Sequence, residues 1–183
     1  MPATSGITPE LPGDVKYGGK THLIINARDS ETTSLIRAAE NWHEAAVRML
    51  IEREGVDIDA KGNRRKTALM WVANNGQEAV VRLLIEREGV DVNATDYEGM
   101  TPLILAARYG CEAVVRLLIE RDGVDVDAGD DEGRTPLMSA AEKGHKAVMQ
   151  LLIERDDVEV NVKNNYENTA LTLAAYKGHG AVR

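Results

Sequence analysis

The sequence predicts an all-α repeat solenoid of about five units, and three observations carry that prediction. A tripeptide that starts with Thr returns every 34 residues, at Thr33, Thr67, Thr101, Thr135 and Thr169, with no insertion between copies. One apolar helix is nearly copied four times, as EAAVRMLIERE, EAVVRLLIERE, EAVVRLLIERD and KAVMQLLIERD. Phenylalanine is absent and aromatics are only 4% of 183 residues, so the 43% hydrophobic content must pack as Ala, Val, Leu, Ile and Met. Such residues suit stacked helices better than a sandwich or a barrel.

The elements follow in order. Residues 1–28 form a tail with Pro2, Pro9, Pro12 and several Gly, expected to be disordered before about residue 18; its one apolar run, Leu23-Ile24-Ile25, could cap the first unit. The units span 29–62, 63–96, 97–130, 131–164 and an incomplete 165–183. In each, Thr is the N-cap of a first helix, and Pro102 and Pro136 are preorganised for its first position. Gly76, Gly110, Gly144 and Gly178 supply a left-handed stop, so this helix has only two turns. The second helix carries a wide apolar stripe, as expected when neighbouring units cover it on both sides. GVDVNATDYEG and GVDVDAGDDEG then read as an extended arm and a tight turn, a projecting hairpin-like loop.

Helix, helix and hairpin repeating at 34, with Thr-Pro-Leu opening the first helix, resembles the ankyrin-repeat family, whose usual period is one residue shorter. The resemblance covers residues 29–183. Within it, the GVDVNA and EAVVRLLIER units are similar to arrays found in fungal multidomain signalling or defence proteins. Asp96/Gly99 and Asp130/Gly133 keep the family's turn pair, whereas Arg28/Glu31, Gly62/Arg65 and Asn164/Glu167 do not, which predicts three irregular turns. Trp42 replaces the helix-ending Gly of the first unit and predicts an irregular helix end there. The fifth unit stops early in its second helix, leaving Leu171 and Val182 poorly covered, and this predicts self-association through that end.

The net charge of −8 argues against nucleic acid and against an anionic membrane surface. No stretch approaches the roughly 20 apolar residues of a membrane span, and the opening segment has no secretory h-region. Cys111 is the single cysteine and cannot form an internal disulfide, so a cytoplasmic or nuclear location is expected. The segment 13–21 ends in Gly-Lys-Thr, but Asp14 stands where a phosphate-binding loop needs Gly. A ligand-binding or enzyme-associated regulatory module using this N-terminal segment is the alternative reading.

His43, Gln77, Cys111, His145 and His179 share one slot, ten residues after each Thr. Equivalent positions of stacked helices lie about 8–10 Å apart, too far to share one metal, so a polar residue hydrogen-bonding at a helix start is the expected role. No cofactor, metal or catalytic set is expected, and the carboxylates read as a solvated charged face.

Recognition then rests on positions that vary between units. The resemblance places them at the hairpin tips and on the concave edge of the first helices. The predicted partner-binding residues are Trp71, Asn75, Tyr97, Met100, Arg108, Tyr109, Arg134, Lys143, Tyr166 and Tyr176, centred on Trp71, Tyr97, Arg108 and Tyr109. Leu105 and Ser139 share the same helix register. Aromatics and Arg are favoured anchors because they bury much area with few rotatable bonds. The partner expected is another protein.

Overall fold

The structure is a computed structural model, and it describes residues 33–179. Among these residues nine α-helices and one 3₁₀ turn follow in order: α1 (Ser34–Glu40), α2 (Glu44–Ile51), the turn Asn63–Arg65, α3 (Ala68–Asn74), α4 (Glu78–Ile85), α5 (Pro102–Arg108), α6 (Glu112–Ile119), α7 (Pro136–Lys143), α8 (Lys146–Ile153) and α9 (Ala170–Tyr176). The odd-numbered helices pack one on the next to form a layer, and α2, α4, α6 and α8 form a second layer behind it. The N-terminal tail, its apolar run, the 13–21 segment, the Arg28/Glu31 turn and Val182 lie outside the described residues.

Each first helix begins where a Thr Oγ1 accepts the N–H three residues on, at Ile36, Met70, Ile104, Met138 and Thr172, over 3.2–3.3 Å. Such a cap contributes about 1 kcal/mol. Leu35, Leu69, Leu103 and Leu137, in the first turn of these helices, are buried in one cluster with Leu50, Leu84, Leu118 and Leu152 of the second layer. Each buried Leu contributes about 1.5–3 kcal/mol relative to exposure, so the 34-residue register fixes one continuous core.

Helix termination explains one departure. Trp42 takes the left-handed backbone, φ 62, that Gly76 and Gly110 take in later units. His43 N–H bonds Ala38 O at 2.9 Å, as Gln77 N–H bonds Val72 O at 3.0 Å. The helix end predicted to be irregular is therefore regular, and the bulky residue costs about 1–2 kcal/mol of strain there.

The loops differ from the sequence expectation in two ways. The Val-Asp-Val arms are not extended: Asp91 Oδ1 accepts Asn93 N–H and Asp125 Oδ1 accepts Asp127 N–H, so each arm folds into a side-chain-closed turn that buries Val92 or Val126. The last turn is regular rather than irregular. Asn164 Oδ1 accepts Tyr166 and Asn168 N–H at 3.0 Å, as Asp96 and Asp130 do in their turns, and Glu167 supplies the left-handed residue, φ 63. Asn serves because only an acceptor oxygen is used.

Candidate partner-binding surface

The tips are tied to one another through backbone. Tyr97 N–H bonds Arg64 O, Asp131 N–H bonds Glu98 O and Asn165 N–H bonds Glu132 O, at 2.9–3.1 Å. Residues at equivalent tip positions are thus held in one row along the edge of the first-helix layer.

The slot shared by His43, Gln77, Cys111, His145 and His179 ties units together as well. The expected bond at its own helix start is not formed by the described members of α2, α4, α6 and α8. Instead Gln77 Nε2 donates to Ala39 O, His145 Nε2 reaches Arg108 O at 3.1 Å and His179 Nε2 reaches Glu142 O at 3.2 Å. Each link meets a carbonyl near the end of the preceding first helix, where carbonyls lose the regular helical partner four residues on. Gly110 and Gly144 are required beneath these rings: both have positive φ, and a Cβ would come within 2.6 Å and 2.8 Å of His145 and His179. Cys111 Sγ approaches Asn74 O at 3.8 Å, and burial pushes its thiol up, which keeps it protonated. Among the described residues no three His, Cys, Asp or Glu side chains are grouped to hold a metal ion, and no helix is long and apolar enough to cross a membrane.

The predicted site residues separate into three groups. Tyr97, Tyr109, Tyr166 and Tyr176 are 56–85% exposed, and Lys143 is exposed with them. Trp71, Asn75 and Arg108 are half-buried. Trp71 packs partly on the core beneath Lys66, whose Nζ lies 5.0 Å from the ring, and its indole N–H is shielded without an acceptor. Arg108 donates from one guanidinium nitrogen toward Met100 Sδ at 3.8 Å, and Asn75 Oδ1 accepts from Asn74.

Two predicted residues do not belong to the surface. Met100 is buried with Met70, Ala94, Ile104 and Leu105, because its side chain turns under the tip and fills the space between α3 and α5. Arg134 is occupied internally: its Nε donates to Asp130 Oδ2 at 2.8 Å, another nitrogen meets Glu132 at 3.1 Å, and its side chain is only 18% exposed. Leu105 and Ser139 are likewise buried. One residue that sequence register passed over joins the surface. Arg65 is exposed with its guanidinium 5.9 Å from the Tyr97 ring, and its signal was an Arg in the slot that holds Gly99 and Gly133.

No curated protein matches this chain. The family model described as ankyrin repeats (3 copies) matches residues 35–130 and 122–183. Proteins built from such repeats generally serve as protein–protein interaction modules and not as catalysts. With most of its length matched and its Thr-capped helix pairs stacked in register, this chain belongs to the ankyrin-repeat family.

Proposed function

We propose that the chain binds a partner protein through its loop tips and the adjoining edge of the first-helix layer, with Tyr97, Tyr109, Trp71 and Arg108 at the centre. The observation that carries this reading is the row of exposed tyrosines. If these rings served only to cover neighbouring units they would be buried, yet Tyr97 and Tyr109, which have units on both sides, leave more than half of their surface to solvent. Rings held on rigid elements bury large area on binding at small entropic cost. The single Cys111 suits a reducing cytoplasmic or nuclear setting.

Trp71 also packs against the core, so its truncation would weaken the fold together with binding. The test therefore uses Tyr97→Ala/Tyr109→Ala, whose circular dichroism is expected to match the parent. Proteins captured by the parent and lost from the variant support the reading. Identical capture by both sinks it.

A second reading concerns self-association. Leu171 is 66% exposed, whereas its equivalents Leu69, Leu103 and Leu137 are buried in the core. A second copy of the chain seated there would bury this face. Light scattering that shows a concentration-dependent dimer supports it, and a strict monomer contradicts it.

A further inference from the structure

The tip at 62–66 departs from the others in charge and in backbone. Residues 60–77 contain Lys61, Arg64, Arg65 and Lys66 and no Asp or Glu. The equivalent stretch 128–145 contains four acids against Arg134 and Lys143. Gly62 stands where Asp96 and Asp130 cap their turns, and Arg65 stands where Gly99 and Gly133 take positive φ. As a result Arg64 and Arg65 are both left-handed, with φ of 53 and 59. Two adjacent strained side chains in an uncapped turn are a poor solution for stability alone.

Their placement fits a ligand. Arg64 is largely exposed, and its one ion pair, to Glu98 at 3.7 Å, is long and solvated. Arg65 lies against Tyr97 and Lys66 against Trp71, so cations and ring faces alternate within one patch. Guanidinium groups pair with carboxylates in a two-point geometry, and the rings offer area to apolar side chains between them. A long polyanion would extend beyond this tip and meet a chain of net charge −8.

We propose that this patch recognises an acidic peptide segment of the partner, two or more carboxylates interspersed with apolar residues; the proposal rests on the interaction surface described above. Peptides selected on the full chain from a random dodecamer library are expected to be enriched in Asp and Glu. They should bind an Arg64→Asn/Arg65→Gly variant about tenfold more weakly. Asn and Gly accept positive φ more readily than Arg, so this variant should melt at a higher temperature. Weaker binding by a more stable protein is not a folding defect. Selected peptides without acidic enrichment, or unchanged affinity in the variant, overturn the proposal. So does tighter binding of a labelled single-stranded oligonucleotide, which would make the patch a phosphate site. Failure of the interaction surface itself is read separately, as undiminished peptide binding by Tyr109→Ala alone, whose ring lies outside the arginine patch.

Discussion

The tips at 96–100 and 130–134 close on a capping aspartate and a left-handed glycine, while the tip at 62–66 has Gly62 in place of the aspartate and Arg65 in place of the left-handed glycine. All three keep the same backbone bond across the turn, Asp96 N–H to Met100 O, Asp130 N–H to Arg134 O and Gly62 N–H to Lys66 O, at 2.9–3.2 Å. The third and fourth units add side-chain acceptors and unstrained φ to that bond. The second unit omits both and presents two arginines. Where local chemistry agrees with the fold the residues stabilise it, and where they disagree the residues are free to serve recognition.

The largest effect that could break this comparison is expected at Asp130. Its oxygens accept Glu132 N–H, Arg134 N–H and Arg134 Nε–H at 2.8–2.9 Å, so Asp130→Ala removes three hydrogen bonds at once and leaves the mostly buried guanidinium with Glu132 alone. Urea unfolding should show a loss of about 3 kcal/mol; a loss below about 1 kcal/mol would put this tip on a level with the uncapped one.

Gly99→Ala comes next, at about 2 kcal/mol. Its φ is 72, and a Cβ would sit 2.6 Å from Asp131 Oδ1 and 2.7 Å from Asp131 N. Thermal melts that show no change would mean the tip row is slack. In the opposite direction, Arg65→Gly should stabilise by about 1 kcal/mol, and so should Trp42→Gly, since each relieves a left-handed side chain. A destabilised Arg65→Gly would show that the arginine is structural.

The smallest effect concerns a second ladder, behind the tips. Asp59 Oδ2 accepts Asp91 N–H at 3.0 Å, but its Oδ1 is buried without a partner. Its equivalent Asn93 accepts Asp125 N–H and also donates to Gly123 O at 2.7 Å. Burial, reinforced by the Asp91 and Asp57 charges, holds the Asp59 carboxyl above its ordinary value of 3.8. A raised carboxyl ionises less readily in the folded than in the unfolded chain, so Asp59 weakens the fold as pH climbs past 3.8. Asp59→Asn should therefore stabilise at pH 7 by up to about 1 kcal/mol. Melts repeated at about pH 3.5 should show part of that gain gone; a gain that grows on acidification would reverse the sign.

Features set within a few residues were legible in the sequence. Thr101 and Thr135 announce their helices because the cap reaches only three residues on, and Leu103 and Leu137 follow from register. What failed depended on side-chain direction. Met100 and Arg134 occupy the same slot one unit apart, and both turn inward, one to fill a gap beside Met70 and the other to meet Asp130. Arg65 was missed because register compares residue types, whereas its importance lies in a backbone angle. The histidine slot was identified as polar, but its bond runs to the preceding unit, which no local pattern reveals.

Hydrogen exchange of the full chain, alone and saturated with a partner captured through it, tests the central claim most directly. Protection at 63–66, 97–99 and 108–109 is the predicted result. Protection confined to the second-helix layer, at 78–85 and 112–119, would contradict it.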